Sequence, residues 1–356
     1  MINAFVLSKI LALATLSTLL AFAWTPLLTH FLYKYRMGKS IRSAVHAPMF
    51  AKLHAKKAGV PTMGGLLMWV TPLALAFIFF GIHAVDPNHF LGQLNFLSRA
   101  QTWLPLAALV AAGMVGLADD FLNVRGIGPA GGGIHIRHRL VLYTIIAAIG
   151  AWWFYVKLDW NSLHIPFLGD ATIGWWYVPI FIAVIVSTSF SVNQTDGLDG
   201  LAGGTLASAF GAYAVIALIH GQVDLAAFCA VIMGALVAFL WFNIFPARFI
   251  MGDTGAMSLG VTLAIVAMLT DSALLLPVIG IVFVVEAVTT VIQLVSKKLF
   301  GRKVFLIAPI HHHFEAKGWP EPKVVMRLWV VSWIGAGLGI MIALLDQAVL
   351  AQTIPL

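Results

Sequence analysis

The chain has few of the residues that build disulfide-linked or water-soluble domains. It contains one cysteine, Cys229, in 356 residues, which excludes a disulfide framework and a thiolate metal cluster. Only 10% of the residues are charged, whereas 61% are hydrophobic and the mean hydropathy is +0.96. So little polar surface cannot cover a soluble globule of this size, and the composition therefore predicts a polytopic integral membrane protein.

The apolar residues are grouped into about ten runs, each close to the length of about 17 to 25 residues that a membrane-spanning helix requires. We interpret all of them as helices of one transmembrane domain, residues 1–356. The first run continues to His30 without a small-residue cleavage site, so it is expected to be a retained helix rather than a signal peptide. The predicted spans are 4–32, 66–84, 102–118, 140–157, 174–192, 201–220, 225–243, 256–270, 273–295 and 328–350.

The basic residues are distributed unevenly between the two sides of the membrane. When the connections are assigned alternately to each side, 18 of the 21 Lys and Arg residues fall on one side. By the positive-inside rule this side is the cytoplasm, which places both termini on the outer, periplasmic or extracellular, side. The cytoplasmic loops are then about 33–65, 119–139, 193–200, 244–255 and 296–327.

Two adjacent aspartates, Asp119 and Asp120, end the third apolar run. Neighbouring carboxylates repel each other, so their retention at the mouth of a membrane helix suggests a cation between them. Mg²⁺ is the obvious candidate. The alternative is a polar stop signal at the end of the helix.

Further polar residues follow at the same predicted face. Asn193, Asp196 and Asp199 form an N-x-x-D-G-x-D-G grouping after the fifth run, and Asp253 opens the eighth. Capping of a helix N-terminus explains one acid but explains the whole grouping poorly. If the sixth helix begins early enough to include Asp196 and Asp199, their spacing places them on one face.

Two cytoplasmic loops contain glycine-rich turns. The segment 61–65 marks a tight turn at the start of the second helix, beside Lys57, and amides with a lysine at a helix start suit a phosphate. A basic flank that only sets the topology is the competing explanation. Residues 122–138 follow no strand and lack the P-loop lysine, so we interpret them as a linker leading to Arg139, which would face an anion or lipid headgroups.

The ninth run and the loop after it add a membrane-embedded acid and three consecutive histidines. Glu286 needs a partner or a cavity, and both a hydrogen bond to a neighbouring helix and a ligand contact are open. His311, His312 and His313 cannot all face one way, and they lack the H-x-x-x-H spacing of a zinc site. Hydrogen bonding to a phosphate or pyrophosphate fits them better.

The grouped polar residues all fall on the predicted cytoplasmic face, whereas the acids of the outer face are single residues in unpatterned loops. Those outer acids are Asp86, Asp159, Asp170, Asp224, Asp271 and Asp346. A carboxylate site at bilayer depth, beside lysine and histidine donors, predicts phosphoryl chemistry between a soluble nucleotide and a lipid phosphate.

Five segments, in this order along the chain, resemble one family. They are PTMGG at 61–65, ADDF at 118–121, NQTDGLDGLAGG at 193–204, MGDTG at 251–255 and APIHHHFEAKGWPEPKVVMR at 308–327. Together they are similar to the phospho-N-acetylmuramoyl-pentapeptide transferases (MraY) of bacterial cell-wall synthesis, over essentially the whole chain. The aspartate motifs are shared with the wider polyprenyl-phosphate N-acetylhexosamine-1-phosphate transferases, and the PTMGG and histidine-rich segments point to MraY within them.

The resemblance implies Mg²⁺-dependent transfer of phospho-MurNAc-pentapeptide from UDP-MurNAc-pentapeptide to undecaprenyl phosphate, which forms lipid I and UMP. It implies the bacterial inner membrane as the location, with the active site facing the cytoplasm, and the first membrane step of peptidoglycan synthesis as the role. Membrane lipid is an expected partner, nucleic acid is not, and relatives suggest a homodimer. Direct attack by the lipid phosphate and a route through an aspartyl intermediate are both open.

The resemblance also assigns roles residue by residue. Asp253 would ligate Mg²⁺, with Asp119 and Asp120 as further candidate ligands, and Asp119 would act on the acceptor phosphate as a base or orienting group. His312 completes the predicted catalytic set. The predicted substrate contacts are Lys57, Thr62, Asn193, Asp196, Asp199, Asn243, Phe249, Gln293, His311 and His313.

Some positions depart from the family pattern. Val60 replaces a usual threonine, and Ile250 stands where a phenylalanine commonly stacks on the uracil, so the adjacent Phe249 is the proposed substitute. The loop after the aspartate pair is rich in glycine where the family usually has lysines, with Arg139 near the expected position of one of them.

Three alternatives remain at the level of sequence. A relative that uses UDP-N-acetylglucosamine would be expected to lack the HHHFE stretch, which is present at 311–315. A secondary transporter would be expected to carry midplane charges in repeated, broken helices. A non-catalytic lipid-binding protein would not need the complete set of Asp119, Asp120 and Asp253.

Overall fold

The structure is a computed structural model that describes residues 3–38, 57, 59–98, 101–129 and 132–353. It is 75% helical. Within the described residues, nine helices are long and apolar enough to cross a membrane, or ten if one bent pair counts as a single span. The predictions of a helical multi-pass membrane protein and of about ten spans are therefore confirmed.

The helices follow the predicted apolar runs in order. They are α1 (Ala4–Lys34), α2 (Leu66–Val85), α3 (Trp103–Val124), α4 (Ile136–Trp152), α5 (Tyr177–Thr195), α6 (Leu201–Ile219), α7 (Val223–Asn243), α8 (Gly252–Leu269), α9 (Leu276–Ile279), α10 (Ile281–Phe300), α11 (Ile310–Ala316) and α12 (Glu321–Thr353). A short antiparallel hairpin, β1 (Ser162–Ile165) and β2 (Gly169–Thr172), joins α4 to α5 and is an addition to the predicted all-α fold.

Helix α8 is the centre of the bundle. All of its residues are buried, and it packs against α3 on one side and α5 on another. Helices α1 and α12 lie at the periphery, where most of their surface is available to lipid. Because the first turn of α8 is buried like the rest of the helix, its acid, Asp253, lies inside the protein rather than on its surface.

The ninth predicted span, 273–295, is broken rather than continuous. Its two helical pieces, which end and begin around Gly280, meet at an angle of 82°. Gly280 has φ −96° and ψ 32°, outside the helical range. Apolar residues continue on both sides of Gly280, so the pattern of hydrophobic residues predicts the span but does not register the bend.

A histidine clamps the hairpin to the bundle at the end opposite Asp253. His164 Nδ1 lies 2.6 Å from Asp170 Oδ1 on β2, and its Nε2 lies 2.7 Å from Asp346 Oδ2 on α12. The backbone N–H of His164 donates to Asp271 at 3.3 Å. The prediction that these three acids stand singly was wrong, because they are far apart in sequence and meet only in the folded chain.

This clamp predicts a pH-dependent stability. Partial burial lowers the pKa of His164, but the hydrogen bonds and charges of Asp170 and Asp346 outweigh it, so the pKa is raised above 6.5. The imidazolium therefore stabilises the fold fully below about pH 6.5, and this contribution is lost as the pH rises through the raised pKa. We expect the melting temperature in detergent to fall over that window.

The variant His164→Gln tests the assignment, because glutamine retains a hydrogen-bonding group but does not titrate. We expect it to melt at a lower temperature than the parent at acidic pH and to lose the His164-dependent part of the pH profile. An unchanged profile in this variant would contradict the clamp.

Candidate active site

The predicted polar residues lie at one end of the bundle. At this end α3, α5 and α7 terminate, and α2, α4, α6, α8 and α12 begin. The alternating direction of consecutive helices brings sequence-distant loops together there.

An arginine joins two aspartates at the start of α8. Asp253 Oδ1 accepts a hydrogen bond of 2.6 Å from the side-chain amide of Asn193, and Asp253 Oδ2 lies 3.0 Å from Arg139 Nη1. Nη2 of the same guanidinium lies 2.5 Å from Asp119 Oδ2. The Asp119 and Asp253 side chains also interact with each other. Arg139 thus offsets the repulsion between two buried carboxylates.

The glycine-rich loop folds back over Asp119. The backbone N–H of Ile134 donates to Asp119 Oδ1. A Cβ atom at Gly133, where φ is +90°, would lie 3.1 Å from the same carboxylate oxygen. The described part of the loop is therefore a contact of the site, and the interpretation of residues 122–138 as a plain linker misses this role.

Asp120 has different surroundings from its neighbour. Its Oδ1 accepts a hydrogen bond of 3.1 Å from the Thr62 hydroxyl. Its Oδ2 accepts from the backbone N–H of Thr254 at 2.9 Å and from the Thr254 hydroxyl at 2.8 Å. Asp120 is fully buried and ties the end of α3 to both the 61–65 segment and the start of α8.

The 61–65 segment is bound to the segment that precedes Asp253. The N–H of Gly64 donates to the carbonyl of Ile250, and that of Gly65 donates to the carbonyl of Met251, each at 2.9 Å. A Cβ atom at Gly65 would lie 2.1 Å from the backbone nitrogen of Gly255. These two amides therefore hold the protein together and are not free to bind a phosphate.

Asp196 and Asp199 lie in the turn between α5 and α6, so the condition that would place them on one helix face is not met. Asp196 Oδ2 accepts a hydrogen bond of 3.0 Å from the N–H of Gly252. Asp199 Oδ2 accepts one of 3.0 Å from the N–H of Ala247. The two acids thus fix different points of the segment leading to Asp253.

Lys57 is held between two carboxylates. Its Nζ lies 2.7 Å from Asp199 Oδ1 and 2.5 Å from Glu321 Oε1. Burial alone lowers the pKa of Lys57, but the charges of Glu321 and Asp199 outweigh it and raise the pKa above 10.5. The ammonium group therefore stays charged at neutral pH. Glu321 was not among the predicted site residues.

Two further predicted substrate contacts form hydrogen bonds with the backbone near the site, and a third packs among aromatic rings. Asn243 Oδ1 accepts from the N–H of Gly200, and its Nδ2 donates to the carbonyl of Phe249, each at 2.9 Å. Gln293 Oε1 accepts from both backbone amides of residues 304–305 at 3.0 Å. Phe249 is fully buried, with its ring centroid 5.9 Å from those of two other phenylalanines. This packing does not support the predicted uracil stacking by Phe249, which stays a prediction.

The three histidines on α11 point in different directions, as predicted. His311 Nδ1 lies 2.8 Å from Glu286 Oε2, and His312 Nδ1 lies 2.7 Å from Glu315 Oε2. His313 Nδ1 accepts a hydrogen bond of 3.2 Å from the N–H of Leu306. His311 and His312 are buried, whereas His313 is partly exposed.

Known proteins resemble this chain over more than nine-tenths of its length. Residues 102–271 match the model of Glycosyl transferase family 4. The chain is 38% identical over 355 residues to the phospho-N-acetylmuramoyl-pentapeptide-transferase of Chloroflexus aggregans, an alignment that covers 96% of this chain and 90% of that protein. The chain belongs to the phospho-N-acetylmuramoyl-pentapeptide-transferase family. Family members from Geobacillus thermodenitrificans and Bacillus cereus are 39% and 36% identical, over 92% and 94% of this chain and 95% and 97% of their own lengths.

The site of this phospho-N-acetylmuramoyl-pentapeptide-transferase family member has the oxygen donors that suit a hard divalent cation. Asp119 and Asp253 face each other, whereas Asp120 is engaged by Thr62 and Thr254. Mg²⁺ in phosphate-handling sites commonly uses one or two carboxylates, together with substrate oxygens and water. Asp119 and Asp253 are therefore the residues that would hold the ion, with Arg139 alongside.

Proposed function

We propose that this chain transfers phospho-MurNAc-pentapeptide from UDP-MurNAc-pentapeptide to undecaprenyl phosphate, with Mg²⁺, and thereby forms lipid I and UMP. The observation that carries the proposal is the similarity over 96% of the chain to a relative named phospho-N-acetylmuramoyl-pentapeptide-transferase. The Asp119, Arg139 and Asp253 cluster, at the end of a bundle of membrane helices, supports it with a place for the chemistry.

The reaction exchanges one phosphoanhydride bond for another. In the direct route, an oxygen of the acceptor phosphate attacks the phosphorus that carries the sugar, and a new P–O–P linkage forms; the route through an aspartyl intermediate gives the same products in two successive displacements. The bond from that phosphorus to the bridging oxygen of UDP breaks, and UMP leaves with the electron pair. Bound Mg²⁺ would supply positive charge to the pyrophosphate and to the leaving group.

The protein residues would position the substrates and stabilise the developing charge. Asp119 would orient the acceptor phosphate, and the Arg139 guanidinium would offset its charge beside the two carboxylates. Lys57 would exchange one of its carboxylate partners for a phosphate oxygen of the donor. Asp120, whose hydrogen bonds fix the end of α3, would hold Asp119 in place. The remaining predicted contacts keep the roles that the family resemblance implies. They are Asn193, Asp196, Asp199, Asn243, Phe249, Gln293, His311, His312 and His313.

The site would face the cytoplasm of a bacterial cell, in the inner membrane. The excess of basic residues on the predicted cytoplasmic side, 18 of 21, supports this orientation and the outer position of both termini. A soluble nucleotide-linked donor would reach the site from this side, and the lipid acceptor would reach it from the bilayer. A homodimer is part of the proposal on the family resemblance.

The test uses detergent-purified protein, undecaprenyl phosphate and UDP-MurNAc-pentapeptide, with UMP release followed with and without Mg²⁺. We expect release that depends on Mg²⁺ and on the muramyl donor. UDP-N-acetylglucosamine serves as the competing donor, and release from it alone would assign the chain to the related N-acetylglucosamine transferases. Release from neither donor by folded protein would favour a non-catalytic lipid-binding protein.

A further inference from the structure

The pair formed by Glu286 and His311 is fully buried but only half satisfied. Both side chains have 0% exposure, and Glu286 Oε2 lies 2.8 Å from His311 Nδ1. The other polar atom of each side chain, Glu286 Oε1 and His311 Nε2, is buried and has no hydrogen-bond partner among the residues that the structure describes. An unsatisfied buried polar atom is destabilising, so a native protein that retains such atoms calls for a functional explanation.

The unpartnered nitrogen of His311 is directed at the turn after α5. A Cβ atom at Gly197 would lie 2.3 Å from His311 Nε2, so only a glycine leaves room for the ring at this position. The preceding residue, Asp196, accepts the N–H of Gly252, next to Asp253. The Nε2 atom therefore lies against the turn that fixes the start of α8.

We propose that Glu286 is a positioning residue, which holds His311 through Nδ1 so that Nε2 is presented to a polar group of the sugar-phosphate donor. This inference rests on the proposed function. A carboxylate that accepts the Nδ1–H of a histidine fixes both the orientation of the ring and the nitrogen left for the ligand. Burial in α10 strengthens this effect, because the low local dielectric strengthens the hydrogen bond.

The proposal also accounts for two features of the sequence that the individual motifs leave unexplained. Gly197, which follows Asp196 in the NQTDGLDG segment, leaves space for the imidazole of His311. Of the three consecutive histidines, the first, His311, is the one whose ring is directed at that turn. Glu286 is the membrane-embedded acid whose partner the sequence left open, and its partner is His311.

A double-mutant cycle tests the proposal. Parent protein, Glu286→Gln, His311→Asn and the double variant are compared by kcat and KM for UDP-MurNAc-pentapeptide. We expect each single variant to lower kcat/KM by about 10- to 100-fold, the range for a displaced active-site group. We expect the double variant to be no worse than His311→Asn, because Glu286 acts through the histidine.

The proposal would be overturned if the loss of kcat/KM in the double variant equalled the product of the losses in the two single variants. Full activity of Glu286→Gln would also overturn it. Thr290→Val is the matched control on α10, since its hydroxyl donates to the backbone carbonyl of Glu286 without reaching His311, and it should retain activity. If Glu286→Gln does not fold, Glu286→Asp is used in its place, because it retracts the carboxylate by one methylene. The expected loss of kcat/KM is the same. An inactive parent protein would instead reject the proposed function, so the two failures are distinguishable.

Discussion

Replacing Asp253 by asparagine is expected to reduce turnover by at least about 10³-fold while the protein remains folded in the membrane. The substitution keeps the shape of the side chain and its bond to Asn193, but it removes the charge that faces Asp119 and Arg139. The proposed metal ligand and one half of the Arg139 bridge are lost together. UMP release with saturating donor, acceptor and Mg²⁺ measures the effect.

The control for this variant is Asp86→Asn, at the opposite end of the bundle. Asp86 is exposed, and among the described residues its carboxylate accepts one local hydrogen bond, of 3.0 Å from the N–H of Asn88, so this variant should keep parental turnover. Matching melting temperatures would show that both variants are folded. Activity of Asp253→Asn within a few-fold of the parent would remove the magnesium assignment.

Placing a methyl group on Gly116 is expected to separate α3 from α8. A Cβ atom there would lie 2.2 Å from the carbonyl oxygen of Asp253 and 2.8 Å from the Cα of Thr254. Both are backbone atoms of a fully buried helix, so the helices must move apart or the residue must strain. Overpacking of this kind typically costs about 1 to 3 kcal/mol and can cost more.

The same displacement should reduce turnover by about 100-fold, because a shift of about 1 Å at a catalytic group has an effect of that size. Gly116→Ala is therefore expected to lower both the melting temperature and the turnover number. Gly81→Ala and Gly337→Ala are the matched controls, since a Cβ atom at either position meets no atom of the described part of the chain within 4 Å. Equal behaviour of all three variants would show that α3 and α8 are not in the close contact described.

The sequence predicted the membrane spans well because a bilayer imposes one length and one composition on every span. It also placed Asp253 correctly at the start of α8, since a polar residue that follows a turn and precedes an apolar run marks a helix beginning. The break at Gly280 and the hairpin around His164 were missed. Neither is marked by the pattern of apolar runs from which the spans were predicted.

Within the candidate site, the sequence identified acids better than it identified their partners. The sequence predicted that Arg139 faces an anion or lipid headgroups, near the expected position of a lysine, but its place between Asp119 and Asp253 depends on how the glycine-rich loop folds back. Glu321, the second partner of Lys57, begins α12 and was not predicted at all. Partner choice across about 260 residues of sequence is a property of the bundle, which local spacing does not encode.

The two halves of the site differ in how they are built, and this difference has an evolutionary consequence. Asp119, Asp120 and Asp253 stand on α3 and α8, which are locked together by glycine contacts and buried hydrogen bonds. Asp199, which contacts Lys57, stands on the turn between α5 and α6, and His311 stands on the short α11. We expect substitutions in the second half to change the use of the donor while leaving the contact between α3 and α8 intact. Donor preference is then free to diverge among relatives while the aspartate framework stays the same.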